Sequence, residues 1–309
     1  PVAPPVFPLE VRHSAALVWT GEEIVVWGGE LEGPNVGVPD LGWREYADGA
    51  AFDPRSATWR TMAPAPLPAI GEFPIGVWTG THVVIATDRS LAAWDPATDT
   101  WTALPDLPAD AVAMAWTGDE VVVVGPNVAV DIEGRTMRAL PEPPGPITRG
   151  RAFWTGTEML VFGATQPIGS LQGEAAGYAY DPGRDRWRVI PPSGLDAQAI
   201  DSAWTGRELV AANYDLEAAA YDPQADEWRR LPDAPARAAE WSPVLASVGS
   251  RVLAEYYATT IVLEEDRWIP LPARRLAASQ RVVADERLWE FGIDRSTAKS
   301  RLVEVALPT

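Results

Sequence analysis

The sequence predicts an all-β chain built from repeats of one four-stranded antiparallel unit, and three observations predict it. The tripeptide Trp-Thr-Gly recurs five times, at Trp19, Trp78, Trp116, Trp154 and Trp204, each time closing an apolar run. An aromatic followed by Asp-Pro stands seven residues before a tryptophan in four places: Phe52 to Trp59, Trp94 to Trp101, Tyr180 to Trp187 and Tyr221 to Trp228. Short β-rich runs are punctuated throughout by Gly, Pro and Asp, and no segment sustains a helical period. Self-similarity at a fixed step is the mark of a repeat architecture.

The copy after Trp78 shows the unit. A first strand ends at Val77-Trp78, Thr79-Gly80 turns, and Val83-Val84-Ile85-Ala86 runs back as a second strand. Leu91 to Trp94 makes a third, Asp95-Pro96-Ala97-Thr98 turns again, and Trp101 to Leu104 makes a fourth before a Pro-rich link, Pro105 to Pro108. Glycine supplies positive φ after the threonine, and Asp-Pro sets its turn through the Asp side chain and the fixed proline φ. Degenerate copies fill the gaps: Val130-Asp131 precedes Met137, Leu263 to Asp266 leads into Trp268, and Val248-Gly249-Ser250 stands in place of Trp-Thr-Gly.

First strands end near Trp19, Trp78, Trp116, Trp154, Trp204, Val248 and Ala284, which makes seven. Fourth strands begin at Trp59, Trp101, Met137, Trp187, Trp228 and Trp268, which makes six. The missing strand is expected from the other terminus, because Pro4-Pro5-Val6-Phe7-Pro8 precedes Trp19 as Trp101 to Pro105 precedes Trp116.

The seven-residue aromatic step with the upstream Gly28-Gly29 resembles the kelch repeat, over nearly the whole chain. The paired glycine is kept only once; other copies read Gly125-Pro126, Phe162-Gly163 and Ala211-Ala212. The resemblance implies a β-propeller of four-stranded blades. With the count above, the fold class is a seven-bladed propeller, six blades being the alternative, in which the N-terminal strand closes the ring and removes exposed edges. The expected organisation is one domain over 1–309, with blades near 14–62, 71–104, 110–140, 148–190, 198–231, 240–271 and 278–307, the last completed by 4–8.

Composition removes several function classes. A formal net charge of −18 repels a phosphate backbone and argues against a nucleic-acid partner. No apolar run approaches the roughly 18 residues of a membrane span. Without cysteine there is no disulfide, thiolate nucleophile or Cys-ligated metal. With only His13 and His82, a His-rich metal site is not expected, and no cofactor motif is found. The start Pro1-Val2-Ala3-Pro4-Pro5, without Met, fits a removed export leader or a trimmed chain.

In a four-stranded meander, the standardised Thr-Gly and Asp-Pro turns share one side, and the variable second-to-third and blade-to-blade links share the other. Function is expected on the irregular side, where loops vary on a rigid scaffold. Two links there are long: 30–49, with Trp43, Arg44 and Tyr46, and 164–177, with Gln166. The resemblance implies that first strands line a central channel, and equal-register comparison puts Arg151, Asp201 and Arg281 along it and His13 and Glu72 at its rim. Arg149, Tyr214, Glu240, Trp241, Tyr256, Tyr257 and Gln280 stand beside this mouth.

Two functions are expected from these residues. One is a recognition propeller that binds a glycan or a partner protein through its irregular loops, with Trp43, Arg44 and Tyr46 as exposed contacts. The other is a cofactor-independent enzyme on a small polar or carbohydrate substrate. There, His13, Glu72 or Asp201 exchanges protons and Arg149 or Arg151 holds an anion; the resemblance implies mutarotase, epimerase or lyase chemistry. Charges near an axis must be paired or hydrated, so the favoured reading of Arg151 and Asp201, on adjacent units, is a structural ion pair or a water-filled channel.

Overall fold

The structure, a computed structural model, describes all residues except 1–5, 33–41, 70–73, 166–174, 197–199, 216, 234–242, 257–258, 265, 272–275, 295 and 308–309. It is an all-β, seven-bladed β-propeller.

The first blade consists of β1 (Ala16–Trp19), β2 (Ile24–Trp27), β5 (Gly49–Asp53) and β6 (Thr58–Thr61). Between β2 and β5 the chain inserts a two-stranded hairpin, β3 (Glu30–Glu32) and β4 (Trp43–Glu45), which strand patterning alone did not show. The second blade is β7 (Ile75–Trp78), β8 (Val83–Thr87), β9 (Ser90–Asp95) and β10 (Thr100–Ala103). The third is β11 (Ala113–Trp116), β12 (Val121–Val124), β13 (Val128–Asp131) and β14 (Thr136–Ala139). The fourth is β15 (Arg149–Trp154), β16 (Met159–Ala164), β17 (Ala175–Asp181) and β18 (Arg186–Val189), and the fifth is β19 (Asp201–Trp204), β20 (Leu209–Ala212), β21 (Ala218–Asp222) and β22 (Glu227–Arg230). The sixth is β23 (Val244–Val248), β24 (Arg251–Tyr256), β25 (Thr259–Glu264) and β26 (Arg267–Pro270). The seventh has three strands among the described residues, β27 (Ala277–Ala284), β28 (Arg287–Asp294) and β29 (Lys299–Val305).

The chain forms two compact units. One contains residues 1–111, 132–136 and 275–309, and the other residues 112–131 and 137–274. The expected closing strand falls partly on residues outside the description, and Val6 to Pro8 carries no strand pairing. Phe7 is nevertheless buried, with its ring 5.1 Å from Phe291 of the seventh blade and 5.1 Å from Trp59 of the first. It occupies the register of Leu104, Leu140, Ile190 and Leu231, all buried at the ends of fourth strands. The N-terminal segment thus supplies that part of the seventh blade's core.

The seven-residue aromatic step has a direct cause. Asp-Pro turns place Phe52 opposite Trp59, Trp94 opposite Trp101, Tyr180 opposite Trp187 and Tyr221 opposite Trp228 across their hairpins. Trp101, Trp187 and Trp228, with Trp268 at the same register, then reach the preceding blade. Trp101 Nε1 donates to Ala63 O, Trp187 to Pro141 O, Trp228 to Pro191 O and Trp268 to Pro232 O, at 2.7–2.9 Å. Second strands such as β2 and β12 are apolar at every position because both faces are covered, as in any sheet buried on two sides.

The uniform turns are structural. Gly21, Gly80, Gly118, Gly156 and Gly206 all have φ between 87 and 100°, and Thr20 Oγ1 accepts the Glu23 amide at 2.9 Å to close its turn. Asp53 and Asp95 each accept the amide two residues on at 2.8 Å. A staple joins successive blades on this side. Arg188 holds Glu158 of its own blade at 2.7 Å and Asp226 of the next at 2.9 Å. Arg60 with Glu23 and Asp99, Arg138 with Glu120 and Asp185, and Arg229 with Glu208 and Asp266 repeat the set. Where the arginine gives way to Thr102, the sequence has also replaced its acidic partners with His82 and Arg135.

These staples set a pH dependence. Burial first, then the 2.6 Å hydrogen bond to Asp185, pushes the Tyr180 phenol up to about 12, against the opposing Arg138; Tyr221, buried beside Asp226 and Arg188, is likewise pushed up to about 12. An unfolded tyrosine ionises near 10. Between about pH 10 and 12 the unfolded chain loses protons that these two phenols retain, so stability, fully present below pH 10, falls across that window. The denaturation midpoint of the parent should fall more steeply from pH 10 to 11.5 than that of the Tyr180→Phe/Tyr221→Phe variant. Parallel curves would show that these phenols do not set the dependence.

Candidate functional site

In the first unit, the irregular side of the first blade contains a pocket of about 430 Å³ between the N-terminal segment, the β3–β4 hairpin and the start of β29. Phe7, Leu9, Val11 and Leu31 give it an apolar lining, and Glu10, Arg44, Tyr46, Lys299 and Ser300 supply the polar groups. Its size lies in the range of about 300–1,000 Å³ typical of small-ligand sites.

The local backbone that builds this pocket starts from Gly28 and Gly29, with φ of 67 and 89°. They turn the chain out of β2 so that Glu30 pairs with His13, through His13 N to Glu30 O at 2.8 Å and Glu30 N to His13 O at 2.9 Å. The paired glycine Gly28-Gly29 therefore serves this hairpin. At its end, Arg44 Nη1 donates to Glu10 Oε2 at 2.8 Å and Tyr46 Oη donates to the same oxygen at 3.3 Å.

Beneath Tyr46 lies Arg12, with no exposed surface, its guanidinium 4.0 Å from the ring centroid. Arg12 Nη1 binds Asp48 Oδ1 at 2.6 Å and donates to the Gly28 and Asp48 carbonyls, while Nε donates to Glu10 O at 3.0 Å. The Arg12 amide donates to Ser300 Oγ and the Ser300 hydroxyl donates to Arg12 O, both at 2.8 Å. Burial, followed by the charge of Glu10, raises the Tyr46 pKa above its ordinary value. The ring and its hydroxyl are thereby held in place by a second layer of contacts.

The other nominated residues are dispersed. His13 is buried, with Nδ1 2.8 Å from Ser14 Oγ, and burial lowers its pKa against the pull of Glu32. Gln280 is half-buried, and Arg281 faces Glu290 across the β27–β28 pair; burial lowers the Arg281 pKa while Glu290 raises it. In the second unit, Arg149 is exposed at the start of β15. Arg151 Nε meets Asp201 Oδ1 at 2.8 Å, Arg151 Nη1 donates to Leu245 O at 3.1 Å, and Leu245 N donates to Asp201 Oδ2 at 2.8 Å. That ring of bonds ties the first strands of three consecutive blades and matches the structural ion pair. Tyr214 sits half-buried in the turn after β20. Glu72, Gln166, Glu240, Trp241 and Tyr257 lie outside the described residues, as does the side chain of Tyr256.

Sequence reasoning named Arg44 and Tyr46 but missed Glu10, Arg12, Lys299 and Ser300. One signal was available: Lys299 is the chain's single lysine. Among the described residues, no helix is long and apolar enough to cross a membrane.

No family model matches this chain, and no curated protein matches it. Among solved structures, that of YjhT matches 98% of this chain and 97% of its own, with a TM-score of 0.59 at 9% identity. At that identity the likeness shows the fold alone: this chain is similar to YjhT in being a propeller.

Proposed function

We propose that this chain is a non-catalytic recognition propeller of kelch type, which docks a partner protein or a glycan on the irregular side of its first blade. The observation that carries this reading is the pocket beside the β3–β4 hairpin, with two donors, from Arg44 and Tyr46, aimed at one point and a rigid support beneath. Trp43 stands on the same hairpin with 68% of its surface exposed, an aromatic left in water where a partner would cover it. The kelch reading rests on the aromatic–tryptophan step and on Gly28-Gly29.

The alternative, an acid–base enzyme working through His13, Arg151 and Asp201, has less support. Arg151 and Asp201 are engaged with each other and with the Leu245 backbone, and His13 is buried under the hairpin. The fold itself decides nothing between binding and catalysis.

A glycan and peptide screen by thermal shift tests the reading. For a ligand so found, Trp43→Ala and Arg44→Ala should each weaken binding about tenfold, the loss of roughly 1.4 kcal/mol. The melting temperature should stay within a degree or two, since both side chains are largely in solvent. Unchanged affinity in both variants removes the docking site from this hairpin.

A further inference from the structure

The turn-side arginines are engaged in staples, and the loop at Asn213 is closed on itself by Glu217 and Arg230. The pocket of the first blade differs, because its polar groups already describe a ligand. Glu10 places one carboxylate oxygen, Oε2, against both Arg44 Nη1 and Tyr46 Oη. Two donors converging on one anionic oxygen are a carboxylate-recognition geometry, and a charge-assisted bond from arginine is the stronger of the pair.

We propose that this pocket binds a carboxylate carried at the end of an apolar group, and that Glu10 occupies the carboxylate position until such a ligand displaces it. The proposal rests on the docking reading above and names its ligand class.

Three observations support it. First, the donors are preorganised: the Tyr46 ring is stacked on a fully buried Arg12, which is itself fixed by Asp48 and three backbone carbonyls. Second, cations gather here in a chain of net charge −18. The single lysine, Lys299, opens onto the pocket and is exposed, while the Glu10 carboxylate is bonded to Arg44 and Tyr46. Displacing Glu10 would leave Arg44 and Lys299 facing an incoming anion. Third, beyond these groups the walls are Phe7, Leu9, Val11 and Leu31, which offer no partners to a hydroxylated sugar but suit an aliphatic or aromatic side chain. A polar head at the mouth and an apolar body within is the ligand this lining describes.

A peptide with an apolar C-terminal residue and a free fatty acid share this chemistry, and the experiment separates them. The probes are acetyl-Gly-Gly-Leu with a free carboxylate, the same peptide as its C-terminal amide, and hexanoate, titrated by ligand-observed NMR against parent, Glu10→Gln, Arg44→Met and Trp43→Ala proteins whose folding is verified by circular dichroism. Acylation of Lys299 by an amine-reactive reagent, followed by peptide mass spectrometry, gives a second readout that needs no second lysine to be disentangled.

At least one free acid should bind the parent, bind Glu10→Gln five- to tenfold more tightly, bind Arg44→Met tenfold more weakly, and slow Lys299 acylation. Binding of the peptide acid alone assigns the site to a protein chain end; binding of hexanoate alone assigns it to a free acid. The proposal is overturned if the amide binds as well as the acid, or if neither acid binds Glu10→Gln. Amide binding that still depends on Trp43 would leave the docking reading intact while removing the carboxylate. Binding indifferent to both Trp43 and Arg44 would remove both.

Discussion

Gly29→Ala should destabilise the protein by about 3–4 kcal/mol. Two separate costs meet at this position. Its φ of +89° is one that a residue with a Cβ adopts at a cost of about 1–2 kcal/mol. The added Cβ would also lie 2.4 Å from the carbonyl oxygen of His13 and 3.0 Å from the amide of Ala15, both backbone atoms that cannot rotate away. Overpacking of this kind costs a further 1–3 kcal/mol or so. At about 2–4 °C per kcal/mol for a chain of this size, the melting temperature should drop by roughly 6–16 °C. Gly21→Ala is the control. Its φ is +92° but its Cβ would meet nothing within 4 Å, so only the backbone cost of about 1–2 kcal/mol applies. Equal losses in the two variants would show that the close approach of His13 does not matter.

Arg12→Met should cost about 3 kcal/mol and disable the pocket as well. The substitution keeps an apolar stem but removes the guanidinium that binds Asp48, three backbone carbonyls and the face of Tyr46. Deleting one partner of a buried pair costs about 3–5 kcal/mol, and the lower end applies because Asp48 is half exposed and can be rehydrated. Arg12→Lys should recover little, since an ammonium cannot reproduce the planar fork. Denaturant titration checks the stability, and the probe titrations check the site. Tyr46 without its support should bind the free acid more weakly in Arg12→Met than the melting shift alone explains. A midpoint like that of the parent would mean that Arg12 is a passenger in this packing.

Much of the fold was legible because the unit is local. Each blade's turns are encoded within a few residues: Thr-Gly for the first and Asp-Pro for the third. The predicted first strands all end where the structure ends them, including the degenerate ones at Val248 and Ala284. Fourth strands begin one residue before each predicted tryptophan, or Met137. The Arg–Glu–Asp staples leave no local mark, because their members are separated by 18 to 47 residues and only their joint absence at Thr102, His82 and Arg135 gives them away.

By itself, then, the sequence determined the blade, its register and the number of its copies, since strand pairing and turn chemistry are written at short range. Only the tertiary structure decided the site. Arg12 and Ser300 are 288 positions apart, and Glu10 meets Arg44 across a hairpin hidden in a long loop. No local pattern marks residues that become neighbours because the two ends of the chain share a blade, and a pocket made of such residues acquires its chemistry only when the chain has folded.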